Sequence, residues 1–160
     1  MTAINKIDVF LQTASVKDAE TDGRVYVGVG GREFVCSIDD HEDFPRGGSD
    51  VYVFGAGANV ERPAANDPRN PQILEEDLDR FPVYIRFDQG SQSHWALDRA
   101  TISFNDSIVP RYESRLRAPL WLGLKAGAYC YLFKHADTGP GAAATGVTGQ
   151  LNAGASSNPR

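Results

Sequence analysis

Acidic side chains crowd into two polar loops of this 160-residue sequence, at residues 17–23 and 39–50. Their acids are Asp18, Glu20, Asp22, Asp39, Asp40, Glu42, Asp43 and Asp50. Like charges held close together repel one another unless protons, basic side chains or a cation neutralise them. Carboxylate and carbonyl oxygens are the ligands that calcium prefers, about six to eight per ion. The alternative is that these acids are solvated turn residues, a common use of aspartate.

The strands between the two loops bring them to one end of the fold. Residues 24–29 and 32–37 alternate apolar and polar side chains, which is the period of a β-strand. Only Gly30 and Gly31 separate the two runs, and glycines suit a two-residue turn because they accept positive φ. In such a hairpin the flanking loops lie at the same end. The sequence therefore predicts that the carboxylates converge at one pole.

Composition and charge narrow the classes of function. A hydrophobic content of 41% is typical of a globular protein, and a net charge of −5 argues against nucleic acid as a partner. Neither an apolar leader nor an apolar run of membrane-spanning length is present, so we expect a cytoplasmic protein. No Ser or Cys lies in a nucleophile motif, so we expect no catalytic activity. Cys36 and Cys130 are expected to be buried thiols, and whether they pair stays open.

Short strand-like segments continue along the rest of the chain. Lys6–Thr13 alternates cleanly between two faces, and similar runs cover residues 50–54, 81–87, 99–104, 108–112, 120–124 and 128–133. No segment repeats its apolar residues with the 3.6-residue period of a helix. Eight or nine short strands joined by polar turns predict an antiparallel sandwich or barrel.

Two segments depart from this pattern. Residues 55–75 contain Pro63, Pro68 and Pro71, which predicts a loop of unusual length for a compact domain. Residues 135–160 are rich in Gly, Ala and Ser and carry too little apolar area to offset their ordering entropy. We therefore expect a domain at residues 4–134 and a flexible tail at 135–160; the alternative is an arm that orders against a partner.

Three segments, in order along the chain, resemble the signatures of PLAT domains, the lipoxygenase-homology β-sandwiches. The family's turn before a strand is similar to DAETDGRV at residues 18–25, and its Asp-Phe-x-Arg-Gly segment to DFPRGGSDVYVF at 43–54. The third signature, an Asp-led turn before Trp-x-Leu-Asp, is similar to VYIRFDQGSQSHWALDRATISF at 83–104. The chain departs from the family in its longer loop and in Asp18 and Glu20, where glycines are common.

The resemblance implies an all-β fold: an eight-stranded antiparallel β-sandwich of two four-stranded sheets. In family members this domain binds membranes or partner proteins, and several members bind calcium in the loops at one end. The positions that match the family's calcium ligands are Glu20, Thr21, Asp39, Asp40, Glu42, Asp43 and Asp88, with Glu20 and Thr21 contributing carbonyls. The resemblance also places Trp95 in the sandwich core.

The hypothesis is a non-catalytic binding module for a protein or lipid-membrane partner, with calcium as its cofactor at the acidic pole. A protein partner is favoured over lipid, because loop insertion rests on exposed apolar side chains and these loops offer only Phe44. The alternative is a structural or accessory subunit of a homo-oligomer or larger assembly. That subunit would use the long loop and the tail for its contacts.

Overall fold

The protein is built almost entirely from β-strands. A computed structural model describes residues 2–88, 94–123 and 125–136. The strands in chain order are β1 (Ala3–Ile4), β2 (Lys6–Thr13), β3 (Val25–Val29), β4 (Arg32–Val35), β5 (Ser49–Gly55), β6 (Ile73–Leu74), β7 (Tyr84–Phe87), β8 (Trp95–Phe104), β9 (Tyr112–Glu113), β10 (Leu120–Leu122), β11 (Tyr129–Tyr131) and β12 (Phe133–Lys134). A short 3-10 helix spans Glu75–Asp79. The all-β prediction is confirmed.

The strands form three antiparallel sheets. The largest has six strands, in the order β12-β9-β8-β2-β5 with β10 also paired to β8; the second has four, in the order β11-β7-β3-β4. β1 and β6 pair as a separate two-stranded sheet. The prediction of two four-stranded sheets is therefore wrong. Residues 128–133 read as one strand but divide between the two large sheets, and β1 and β6 are too short to show a period-two pattern.

The core joins the inward faces of the two large sheets in one hydrophobic cluster. Trp95 is fully buried, as predicted, and its ring centroid lies 5.1 Å from that of Phe44 and 6.4 Å from that of Phe87. The indole Nε1 donates a 2.9 Å hydrogen bond to Thr13 Oγ1, which satisfies the polar end of a buried ring. Trp95 of β8 therefore holds the second acidic loop, through Phe44, and the end of β7, through Phe87, in one aromatic group.

The β3–β4 hairpin has the predicted two-residue turn. Gly30 and Gly31 have φ of 59° and 77°, the positive values that a primed hairpin turn requires. Phe87, the last residue of β7, pairs with Val25, the first of β3. The two acidic loops and the end of β7 therefore reach the same end of the four-stranded sheet.

The proline-rich loop at residues 55–75 covers the outer edges of β5 and β4. The side chain of Asn59 accepts from the Val53 N–H and donates to the Val51 carbonyl, both at 2.8 Å. The side chain of Asn66 accepts from the Val35 N–H at 3.0 Å. An uncovered strand edge invites pairing with other chains. The loop therefore supplies these strand edges with hydrogen-bond partners that a neighbouring strand would otherwise provide.

Other expectations have mixed outcomes. The strand predicted at residues 108–112 is wrong, because Ile108 is 96% exposed and only Tyr112 of that run belongs to a strand. Cys36 and Cys130 are both buried and unpaired. Most of the predicted tail, residues 137–160, lies outside the described residues. Within the described part of the chain, no helix has the length and apolar character to cross a membrane.

Candidate cation site at the acidic pole

The acidic loops border a groove of about 550 Å³ at the end of the four-stranded sheet. We call it the acidic groove. Side chains of both loops line it, together with Arg24 of the hairpin and one acid from the proline-rich loop: Glu20, Thr21, Asp22, Arg24, His41, Glu42, Asp43 and Glu61. The convergence of the two loops that the hairpin predicts is therefore present, and five acids line one concave surface.

Two side chains of the second loop, His41 and Asp43, meet Asp50 at the start of β5 beside this groove, and we call the three the His41 cluster. His41, Asp43 and Asp50 each place one ligand atom within 4.8 Å of the other two. His41 Nε2 lies 2.9 Å from Asp50 Oδ2. The hydrogen bond and the charge of Asp50 raise the pKa of His41 above its ordinary value. The cluster can therefore offer an imidazole nitrogen and two carboxylates to a cation.

Asp43 is also a structural anchor. Its Oδ1 accepts a 2.9 Å hydrogen bond from the hydroxyl of Tyr52, and its Oδ2 accepts one of 3.0 Å from Ser37 Oγ. The Ile38 N–H donates to the same Oδ2 at 3.4 Å. Burial, followed by the nearby carboxylate, raises the pKa of Tyr52, so its hydroxyl remains protonated and able to donate. Asp43 thereby ties the second loop to β5.

Glu20 of the first acidic loop forms an ion pair with Arg46 of the second. Arg46 Nε and Nη2 each donate a 3.1 Å hydrogen bond to one of its carboxylate oxygens. These hydrogen bonds hold the pKa of Glu20 below its ordinary value. The forked geometry suits a guanidinium, and the pair neutralises one acid at the rim of the groove. Glu20 is thus paired rather than directed into the His41 cluster.

The other predicted ligands are dispersed. Thr21 is buried, and its Oγ1 accepts from the Gly23 N–H at 3.0 Å. Asp39, Asp40 and Glu42 are exposed on the second loop, and Asp88 is half-buried after β7. Of the seven positions that the resemblance marks, the cluster contains Asp43. His41 lies on the second loop and Asp50 at the start of β5, and the residue pattern does not indicate that the two side chains meet.

The donor set fits calcium only in part. Calcium takes about six to eight oxygens, whereas an imidazole nitrogen is typical of zinc, nickel or copper sites. Both oxygens of Asp43 already accept hydrogen bonds within the chain. Asp50 and Asp43 could hold a calcium ion only with further oxygens, and Glu42 is the acid of the second loop that also lines the groove.

Comparison with known proteins shows the fold. No family model and no curated protein matches the chain. Among solved structures, alpha-toxin from Clostridium absonum is 21% identical with a TM-score of 0.55, and alpha-toxin from an avian strain of Clostridium perfringens is 18% identical with a TM-score of 0.56. Coral 8R-lipoxygenase, described as calcium-activated through a C2-like domain, is 18% identical with a TM-score of 0.53.

These matches cover most of this chain but a minor part of each neighbour. They cover 82%, 83% and 81% of this chain, and 32%, 32% and 17% of the respective neighbour. The chain therefore spans about a third or less of the proteins it resembles. At these identities the likeness establishes architecture, and the fold is PLAT-like.

Proposed function

We propose that the protein is a non-catalytic module that binds lipid surfaces, and that a divalent cation in the acidic groove takes part in this binding. The observation that carries the proposal is the convergence of His41, Asp43 and Asp50 beside a groove lined by further acids. An acidic groove on a chain of net charge −5 repels lipid phosphates. A divalent cation held by the cluster would reverse that local charge and bridge carboxylates to phosphates.

The side chains of the groove favour binding over catalysis. The hydroxyl of Ser37 donates to the Asp43 carboxylate, and among the described residues no imidazole accepts from it. The Cys36 thiol is fully buried, and burial raises its pKa, which disfavours the reactive thiolate. Ser37 thus has no imidazole base beside it among the described residues, and Cys36 has no lowered pKa, so neither has the usual features of an activated nucleophile.

The alternative of an accessory subunit, and the expectation of a protein partner, remain predictions. One observation weighs against the long loop as a contact arm. Its Asn59 and Asn66 side chains satisfy strand edges within the same chain, so these polar groups are already engaged. A lipid surface as the partner is consistent with the PLAT-like fold. It is also consistent with the excess of carboxylates in the groove, which a bound cation would link to lipid phosphates.

Vesicle flotation tests the proposal. The full chain is mixed with vesicles of phosphatidylglycerol and phosphatidylserine, which carry no choline, in calcium, zinc, magnesium or chelator. We expect calcium or zinc to increase the floated fraction. Magnesium should do less, because it gives up its waters reluctantly. A floated fraction that is the same in chelator and in every cation would contradict the proposal.

Two matched variants locate the cation. Asp50→Asn removes a charge from the cluster, whereas Asp39→Asn removes one from the second loop outside the cluster. We expect Asp50→Asn to raise the cation concentration needed for flotation about tenfold and Asp39→Asn to change it little. The opposite ranking would favour the ligand set that the family resemblance implies over the cluster in the structure.

A further inference from the structure

Three tyrosine rings meet on the outer face of the four-stranded sheet, on different elements from the acidic groove. Tyr84 lies on β7, and Tyr129 and Tyr131 lie on β11. The ring centroid of Tyr84 is 5.3 Å from that of Tyr129 and 6.3 Å from that of Tyr131. Tyr131 stands at 88° and Tyr129 at 67° to the Tyr84 ring. We call this arrangement of one floor and two walls the tyrosine cage.

The floor of the tyrosine cage is fixed by its neighbours. The Tyr84 ring lies against Gly28 of β3, where an added Cβ would overlap the ring. The Tyr84 hydroxyl donates a 2.8 Å hydrogen bond to Glu33 Oε1 on β4. One face of the ring therefore rests on the sheet. Its orientation is set before any ligand arrives, which reduces the entropy that binding costs.

The two walls are exposed. Tyr129 is 53% exposed and Tyr131 is 63% exposed, and their rings are 25° from parallel with centroids 6.5 Å apart. The three centroids form a triangle with no side longer than 6.5 Å. A point above that triangle can therefore lie within about 6 Å of all three rings, the range over which a cation is attracted to aromatic faces. Quaternary ammonium groups are the cations that aromatic cages of this kind recognise.

A charged pair beside the cage selects the rest of the ligand. Arg86 is the register partner of Tyr129, and its guanidinium lies 4.2 Å from the ring centroid of Tyr26. Arg86 Nη2 donates to Glu33 Oε2 at 2.6 Å and Nε donates to Oε1 at 2.9 Å, so the guanidinium is held in place. Glu33 offsets much of the Arg86 charge, so the pair presents a carboxylate beside the Tyr84 hydroxyl to an ammonium group and a guanidinium to an adjoining phosphate.

We propose that the tyrosine cage binds the phosphocholine headgroup of a lipid surface, with the trimethylammonium over Tyr84 and the phosphate beside Arg86. The lipid source of the ligand rests on the proposed function, but the cage itself does not. It lies on the sheet face, shares no side chain with the His41 cluster and requires no divalent cation. Binding at the cage is therefore separable from binding at the acidic groove.

Calorimetric titration of the full chain with phosphocholine, in chelator, tests the cage. Tyr131→Phe keeps the ring and should keep the affinity, whereas Tyr131→Leu should weaken it about five- to thirtyfold. Phe133→Leu changes an exposed aromatic on β12 outside the cage and should have no effect. Because Tyr131 is exposed, these changes should not unfold the protein. Equal affinity for Tyr131→Leu and the wild type overturns the proposal.

Two comparison ligands test the chemistry. 3,3-Dimethylbutyl phosphate replaces the quaternary nitrogen of phosphocholine by carbon, and free choline lacks the phosphate. Both should bind at least about tenfold more weakly than phosphocholine. Equal binding of the carbon analogue would show an apolar contact instead of a cation site and would overturn the proposal. Equal binding of choline would overturn the role of Arg86.

Binding to phosphatidylcholine vesicles tests whether the ligand of the cage is a lipid headgroup. In chelator, phosphatidylcholine vesicles should retain the wild type and Tyr131→Phe but release Tyr131→Leu. Binding of soluble phosphocholine without retention on these vesicles, or tighter binding of a trimethyllysine peptide, would overturn the lipid source. Because chelator is present throughout, failure here is distinct from failure of the cation-dependent proposal, which is read on anionic vesicles with calcium or zinc.

Discussion

Replacing Asp43 by alanine tests whether this carboxylate anchors the second acidic loop. The side chain accepts hydrogen bonds from Tyr52, Ser37 and the Ile38 N–H, and Tyr52 is fully buried. A hydrogen bond to a charged group contributes about 1.5–3 kcal/mol, and an unsatisfied buried hydroxyl costs about 1–3 kcal/mol. We therefore expect Asp43→Ala to lower the free energy of unfolding by about 3–5 kcal/mol.

Urea unfolding at neutral pH measures this loss. Asp39→Ala, in the same loop but exposed, is the matched control and should stay within about 0.5 kcal/mol of the wild type. A double-mutant cycle with Tyr52→Phe should give a coupling of about 1.5–3 kcal/mol, because Tyr52→Phe removes the hydroxyl that Asp43→Ala leaves unpaired. A loss below about 1 kcal/mol for Asp43→Ala, or no coupling to Tyr52, would refute the anchoring role.

Three further substitutions test contacts on the faces and edges of the sheets. Gly28→Ala should displace the Tyr84 ring, cost about 1–3 kcal/mol in thermal unfolding and weaken phosphocholine binding; unchanged values would contradict the contact. Arg86 lowers the pKa of Glu33, so the pair stabilises the fold above the ordinary carboxyl pKa and loses its effect as pH falls through the lowered value. The melting temperature of Glu33→Gln should therefore lie below that of the wild type at neutral pH and approach it below about pH 4; a constant difference would contradict this. Asn59→Ala uncovers the β5 edge and should promote self-association in sedimentation velocity, whereas a monomer at all concentrations would argue against edge protection.

The strands and the core could be predicted because their patterns are local. Lys6–Thr13 has the predicted bounds, the glycine turn lies where the hairpin requires it, and Trp95 is in the core. These features depend on alternation and on the φ that glycine accepts. The division of residues 128–133 between two sheets depends on long-range pairing, which a period-two pattern does not encode.

The sites depend on features that residue types do not show. Phe44 is buried at a φ of 59°, a conformation that its packing on Trp95 and Tyr52 maintains. The positive φ of Phe44, together with that of Asp40 at 53°, sets which side chains of the second loop point toward the groove. The tyrosine cage depends in the same way on the register between β7 and β11. Composition therefore indicates an acidic pole but not the His41 cluster.

Under the proposed function, cation binding in the acidic groove is coupled to binding of an anionic lipid surface. Calorimetric titration with calcium, in the absence and presence of vesicles that contain phosphatidylserine, measures that coupling directly. Since binding linkage is reciprocal, a cation that strengthens lipid binding must itself bind more tightly when lipid is present. We predict a calcium affinity at least about fivefold higher with vesicles, and a loss of this increase in Asp50→Asn. The same calcium affinity with and without vesicles, or no binding heat at about 5 mM calcium, would contradict coupling between cation and lipid.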